Sequence, residues 1–539
     1  MTTISIILPN QLLFEKDDLL LLNLSKYIYL IEDDTYFTKY PFHKQKLIMH
    51  RASMKFYYDY ICDLFKDKIN KGLKKIIYVN NSQANETYNK IFQQKHIVHI
   101  YDPIDHSLMK KFNKLALSNN ILLNVYDSPL FIETNDELQS YYDSLKSHTN
   151  YIHDNGFYRW QRTRLNILME KSRSGDVTPY GDKLSFDHSN RKPFDQTYLN
   201  NIPSEPEPII LTKQTTTEQT RAYLTSAISY VEKNWSKNFG EYDLNTFIYP
   251  INSFMAKQMV KQFIKHRLNT FGKYEDAVNS NINYGSHSVL SASLNIGLVT
   301  VKYVLKKIIK LFDKLSTNKK KLILPNIEGF IRQLIGWRSY VRFIYKFHST
   351  DLFESNQFSF INKLPESWFD GSTGIYPIDT LIKKVEKIAY AHHIERLMFL
   401  GNFALLNQIE PKEIYDWFMI CFIDSYEWVM IPNIMGMSQY SSDSVKMMTK
   451  PYFSSSNYIK NMSDFKINDY KMLQIENKTY YWNEVWDALY YNFINTNKNQ
   501  LKKFYSTAYV IAHWKKKSDT EKKRLIKLAN GYLKSSYAK

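Results

Sequence analysis

The chain has 539 residues, 44% hydrophobic and 15% aromatic, with a formal net charge of +18. This composition excludes a disordered chain and allows a large buried core in about two to four domains. The charge favours an anionic partner, nucleic acid ahead of a membrane surface, although a generally lysine-rich composition would produce the same excess.

The two cysteines, Cys62 and Cys421, cannot build a disulfide framework or a cysteine-ligated metal centre. The N-terminal MTTISIILPNQLL lacks a basic n-region and carries Pro9 early, so it does not read as a signal peptide. No apolar run reaches membrane-spanning length. A soluble, intracellular protein is expected, monomeric and with no membrane partner.

Over residues 1–135, short β-rich runs fall at 4–8, 27–32, 74–80, 96–102 and 120–127. Helical patterns lie between them, notably HKQKLIMHRASMKFYYDYICDLF. This alternation predicts an α/β domain with a doubly wound parallel sheet. Ligands on such sheets sit beyond the carboxyl ends of the strands. Gln11 follows the first strand, Glu32 ends the second, and His43, Lys44 and Lys46 open the next helix. No GxGxxG or Walker pattern occurs, so dinucleotide or nucleoside triphosphate binding has no support.

Residues 136–215 read as a connector. GFYRWQRTRLNILM at 156–169 predicts a helix of core and interface character. Beyond Arg173, dense Pro, Gly, Ser and Asn mark a long linker, within which lies FDHSNRKPF. From residue 216 to 539 the periodicity is mostly helical, predicting a large all-α domain. SHSVLSASLNIG places hydroxyls and backbone N–H groups at a helix start, which suits a phosphate and equally suits an ordinary cap. In IEGFIRQLIGWRSYVRFIY, Trp337 and Arg338 could face a nucleobase and a phosphate, or be a structural pair at a helix crossing. The lysines at 319–321 and 515–517 read as solvated faces.

The stretch 390–462 is the most informative. Two histidines, an arginine and an aspartate lie in long apolar runs, where charges need partners. A helix through 390–405 would put His393, Leu397 and Leu400 on one face and His392 with Arg396 on the next. The alternatives are a core helix with satisfied polar groups and a pocket; the following Trp, Tyr and Met favour the pocket. HHIER is not HExxH, and no GxSxG elbow occurs, so zinc-protease and serine-hydrolase readings fail.

The runs HHIERLMFLGNFALL, WVMIPNIMGMSQY and TKPY, with PNQL and HKQKL near the N-terminus, resemble the bacterial (6-4) photolyase and cryptochrome branch, also called the iron–sulfur bacterial cryptochromes and photolyases. The resemblance covers nearly the whole chain. It implies the photolyase/cryptochrome fold, with FAD folded back on itself in the helical domain. His287, Ser288, Leu290 and Ser291 match flavin phosphate and ribitol contacts, with Tyr274 a neighbour and Gln333 at the flavin. Arg396 and Asp424 match the ion pair beside the isoalloxazine ring, and Met430 the position facing its N5. Trp417 matches the proximal electron donor, and Trp337 lies near the lesion-binding mouth.

The implied activity is light-driven repair of UV-damaged DNA. Photolyases flip the damaged base out of the duplex. Excited reduced flavin passes an electron to the lesion and recovers it, with no net redox change. His393 is the expected general acid, supported by His392, in a cavity shared with Tyr452 and Tyr458. Gln11, Glu32 and Lys46 match the pocket of a lumazine-type antenna (6,7-dimethyl-8-ribityllumazine), or are a capping and surface set without chromophore. Asp187 matches an acidic position tied to divalent-cation dependence, though one carboxylate is a poor metal site and a loop-stabilising role fits better.

The chain departs from the branch at the four cysteines that hold an iron–sulfur cluster. The matching positions read Pro377, Lys466, Asp469 and a residue within 480–482. No iron–sulfur cluster or other metal is therefore expected, and aromatic packing from YYWNEVWDALYYNF should fill the space. Phe369 and Phe418 replace expected redox-active residues; the alternatives are Trp368 as a substitute relay and slow photoreduction. The competing readings are a blue-light-sensing cryptochrome, for which a partner-binding tail would be expected beyond SSYAK, and a basic helical DNA-binding protein without flavin.

Overall fold

The computed structural model describes all residues except 1, 94–95, 146–153, 173–174, 210–216, 449–450, 468–472, 476 and 538–539. Five parallel strands form the first sheet: β1 (Thr3–Ile7), β2 (Tyr27–Ile31), β3 (Lys75–Val79), β4 (Ile97–Tyr101) and β5 (Leu122–Tyr126). Their order is β3-β2-β1-β4-β5, the doubly wound topology the alternation predicts. The central strands bury Ile6, Ile28, Leu30 and Val98 completely, because helices cover both faces. The strand order reverses around β1. There Asn10 and Gln11 donate across to the carbonyls of Pro103 and Tyr101, both at 3.1 Å.

The helix Lys44–Leu64 follows His43, whose Nδ1 accepts from the Gln45 N–H at 3.1 Å. The same histidine joins the two halves of the molecule. Its backbone N–H donates to the Ile420 carbonyl at 2.8 Å, and its Nε2 lies 3.2 and 3.0 Å from the carbonyls of Val385 and Glu386. Gln45 adds bonds to the carbonyls of Glu241 and Lys387, at 2.9 and 2.6 Å. HKQKL is thus a latch between the sheet domain and the helices.

The connector is more ordered than its composition suggests. Helix Asp154–Leu165 buries Phe157 and Tyr158. Met169–Lys171 and Val177–Pro179 form an antiparallel ladder. Glu328, fully buried, accepts from the Tyr158 hydroxyl at 2.9 Å and the Phe186 N–H at 3.0 Å, which pins this segment to the helices. The expected linker is therefore, over its described part, a docked strap.

The remainder is helical apart from one short ladder, Leu473–Ile475 with Lys478–Tyr480. Three stretches are π-helical: Arg332–Trp337, Glu395–Gly401 and Ile431–Ser438. Such wide turns cluster at functional sites. They also overturn one expectation. The helix begins at His393, not residue 390, and widens at once, so i, i+4, i+7 spacing no longer defines a face. Leu397 and Leu400 are buried, while His393 is exposed. Among the described residues no helix is long and apolar enough to cross a membrane.

Gly240, at φ +94°, packs directly on the His43 ring, and a Cβ there would collide with the imidazole. Gly240→Ala should destabilise the protein by about 2 kcal/mol or more through strain and overpacking at the latch. Urea unfolding would measure this; a loss under about 0.5 kcal/mol would show that the latch yields.

Candidate active site

The site is built where the 391–396 turn meets residues 422–425. Arg396 donates to both oxygens of Asp424, at 2.9 and 3.2 Å, and its Nε donates to the Ala391 carbonyl at 2.7 Å. The guanidinium also lies 4.2 Å over the Phe422 ring. Ser291 Oγ donates to Asp424 at 2.6 Å, and Asn295 donates to the Asp424 carbonyl at 3.0 Å. Both come from one short helix, Ser291–Asn295, so the predicted helix start is held by the ion pair.

His392 and His393 diverge. His392 is buried, its ring stacked 4.4 Å from His287 at 13°. Its backbone N–H donates to Glu395 at 2.9 Å, and Glu395 pairs with Lys384 at 2.8 Å. His393 is exposed, its ring 6.2 Å from that of Trp337. Desolvation, with the Arg191 and Arg396 charges, pulls its pKa down to about 4, so it is neutral at pH 7 in the free protein. Desolvation also pulls His392 and His287 well below the usual histidine range.

Several buried polar atoms in this region have no partner within the protein: His287 Nε2, His392 Nδ1, Ser293 Oγ and Arg338 Nε. Buried groups are normally satisfied, so this concentration fits a polar ligand.

The remaining predicted residues fall into three settings. Leu290 and Met430 are buried, and Ser288 and Gln333 half-buried, on segments adjoining the site. Tyr274 stands apart in an aromatic group, 4.5 Å from Tyr198, its hydroxyl bonded to Asp195 at 2.7 Å. Tyr452 and Tyr458 are half-buried, and desolvation raises the Tyr458 hydroxyl. Trp337 donates to Asn433 at 3.2 Å. Arg338 is turned inward rather than toward a phosphate. It bonds Asn295 and sits between Phe131 and Trp428, at 4.7 and 4.8 Å, where desolvation lowers its pKa to about 9.

Trp417 is buried, donates to the Trp368 carbonyl at 2.9 Å, and lies 5.3 Å from that ring. Phe418 stacks on Phe422 at 5.0 Å, and Phe369 packs on Phe239 at 5.9 Å. Of the cysteine-matching positions, Pro377 is buried in the first turn of Tyr376–Ile388, and Trp482 donates to the Lys466 carbonyl at 3.3 Å. Aromatic packing surrounds them: Phe465 lies 5.1 Å from Tyr376. Asp469 lies outside the described residues.

At the first domain, Glu32 receives Arg51 and Tyr78 at 2.5 Å, Tyr230 at 3.0 Å and the Asn81 N–H at 3.0 Å. Gln11 is bonded as described above. Lys46 is buried and donates to the Ser425 carbonyl at 2.5 Å, one residue from Asp424; desolvation lowers its pKa to about 7. The nearby crevice between Tyr36, Asp105 and Trp428 has room for about one water. Asp187 bonds Arg332 at 2.5 Å and Arg191 at 2.8 Å, which braces its loop.

Three residues were not apparent in the sequence. Glu205 accepts from the N–H groups of Tyr284 and Gly285, at 2.7 and 3.0 Å, and Arg267 donates to the His287 carbonyl at 2.9 Å. Together they shape the loop before Ser291. Arg191 sets the charge near both His393 and Tyr458. Glu205 and Arg191 lie in the segment read as linker, and only their charge could have marked them.

Comparison with known proteins decides the family. The chain is 31% identical over 440 residues to the (6-4) photolyase of Agrobacterium fabrum, spanning 81% of this chain and 80% of that protein. It belongs to the photolyase–cryptochrome family. Residues 5–247 match the family described as deoxyribodipyrimidine photo-lyase-related protein. A 135-residue stretch is 38% identical to an uncharacterized protein of Acanthamoeba polyphaga mimivirus, covering 24% of this chain and 94% of that one. In fold, the chain resembles a bacterial class III photolyase from Agrobacterium tumefaciens (TM-score 0.50, 14% identity, 84% and 82% of the two chains). It also resembles a Synechocystis cryptochrome (TM-score 0.53, 12% identity, 86% and 88%).

Desolvation holds four rings neutral: His43 at about 4, His50 at about 3, and His287 and His392 well below 6.5. The folded state thus binds fewer protons than the unfolded one. The stability these rings contribute is complete above about 6.5 and is lost as pH falls through their folded-state values. Carboxyls raised by desolvation act in the opposite sense, among them Glu275 at about 7 and Asp276 and Asp379 at about 6. Substitution isolates the contribution of a ring: His50→Gln should make the urea midpoint fall less than in wild type between about pH 6.5 and pH 4; an unchanged profile would contradict neutral burial.

Proposed function

We propose that the protein is a light-dependent DNA lyase acting on (6-4) photoproducts, with FAD held against Arg396 and Asp424 and the extruded lesion at His393. The observation that carries this is the position of His393, exposed and three residues from an arginine paired with Asp424. The relationship to a (6-4) photolyase at 31% identity supports the same reading.

The donor set fits a flavin. Arg396, Asp424, Ser291 and Asn295 would hold the ring system, with Met430 and Gln333 beside it. His287, Ser288 and Leu290 would meet the ribitol and phosphates, for which the open His287 Nε2 and Ser293 Oγ are available. Tyr274 would border the cofactor only through its aromatic group. When bound, FAD supplies a light-excited electron donor that recovers its electron.

The protein's own groups do the rest. Arg396 places a fixed positive charge beside the ring system, favouring an anionic cofactor. Trp337, Tyr452 and Tyr458 offer aromatic surface for an unstacked base. Trp417, with Trp368 in contact, would relay electrons. His393 is neutral in the free protein. A DNA phosphate arriving near Arg191 would oppose that charge and raise the imidazole pKa, so that Nε2–H or Nδ1–H donates to the lesion. His392, locked on His287 and Glu395, orients the turn. Arg338 serves the interior. A lumazine antenna has less support than FAD, since Gln11, Glu32 and Lys46 have their polar groups engaged within the protein.

Illumination of oligonucleotides carrying (6-4) lesions should restore thymines. His393→Ala should retain flavin absorption and lose repair by about 100-fold or more, the scale of a general acid. Equal repair by both proteins would remove His393 from the role. Photochemistry of the bound flavin without repair of any lesion would move the protein to blue-light sensing.

A further inference from the structure

Residues 498–517 contain six lysines and no carboxylate. The 3-10 turn Tyr505–Thr507 leads into the helix Ala508–Lys516. Ile511 and Trp514 are buried on its inner side, and Trp514 donates to Asn495 at 3.2 Å, so the element is anchored. Its outer side carries Tyr505 at 97% exposure and Tyr509 at 79%. Tyr505, Tyr509 and His513 follow one another at four-residue spacing, which places them along one stripe.

The stripe continues inward. The Tyr509 and His513 rings lie 6.4 Å apart at 19°, and His513 and Tyr491 lie 6.1 Å apart at 30°. Tyr491 meets Tyr490 at 5.1 Å, and Tyr490 meets Phe453 at 5.8 Å. Phe453 directly follows Tyr452, so the run of ring contacts ends one residue from the proposed lesion site. Lysines flank the stripe. Lys502, Lys515 and Lys516 are exposed and form no ion pair with a described residue, and Lys503 makes only a 3.4 Å pair with half-exposed Asp443.

We propose that the Tyr505–Lys516 face is a second nucleic-acid contact. Backbone phosphates of a DNA strand would lie on Lys502, Lys503, Lys515 and Lys516, with unpaired bases stacked on Tyr505 and Tyr509. Charge complementarity selects the occupant: Lys502, Lys515 and Lys516, which pair with no described carboxylate, attract a polyanion, and rings tolerate any base. That the strand is the one carrying the lesion rests on the proposed lyase function; the contact itself does not.

The test uses the full-length protein in the dark and an undamaged, labelled single-stranded oligonucleotide of about 20 nucleotides, a length that exceeds one such site. Fluorescence anisotropy should show Y505A/Y509A binding about tenfold more weakly or worse, the loss expected for one or two stacked bases. K502Q/K503Q/K515Q/K516Q should flatten the log–log salt dependence by about 3, the release expected from four phosphate contacts to a single strand. Both variants should repair saturating lesion substrate at the wild-type rate if the lyase reading holds. Loss of oligonucleotide binding in a protein without repair activity would sustain this site while sinking that reading. Binding within twofold of wild type, with an unchanged salt slope in both variants, would overturn the proposal. So would unchanged DNA binding accompanied by loss of self-association in sedimentation or of affinity for phosphatidylserine vesicles; these outcomes would assign the face to a second copy or to a membrane.

Discussion

The Arg396–Asp424 pair is the constraint around which the helical half is arranged. Both charges are largely removed from water, with side-chain exposures of 14% and 8%. Such a pair is tolerable only when its remaining hydrogen-bonding capacity is met. Here Ser291, Asn295 and the Ala391 carbonyl meet it. These partners come from separate stretches of chain, so the pair ties the loop before Ser291, the histidine turn and residues 422–425 into one unit. Lys46 extends the unit into the sheet domain through the Ser425 carbonyl.

The histidine turn owes its shape to local geometry. Glu395–Gly401 and Ile431–Ser438 are both π-helical, and they approach so closely at Gly401 that a Cβ would strike Ser438 Oγ. His392 stands before the helix and His393 begins it, and the two adjacent imidazoles part. One is stacked on His287 and held by Glu395, and the other is exposed.

The legible features were those with local causes. Five runs of β-branched and aromatic residues became five parallel strands, each within two residues of its expected limits, because strand propensity and turn residues act over short range. Ser291 at a helix start and the pairing of Arg396 with Asp424 followed the resemblance. Arg338 did not: nothing in GWRSY distinguishes an arginine facing a phosphate from one held between Phe131 and Trp428. Glu205 and Arg191 were hidden because Pro- and Asn-rich segments look alike whether they are free or docked.

The amino-acid sequence by itself determined the two-part architecture, the family, and the residue types gathered at the site, since these depend on periodicity and on long matching runs. Only the tertiary structure decided which polar groups are open and which are engaged. Burial and hydrogen bonding are set by partners hundreds of residues away: the bond from Lys46 to residue 425 and that from Tyr230 to Glu32 have no local signature. Burial also sets charge: desolvation draws Lys46 down to about 7 against the pull of Asp424.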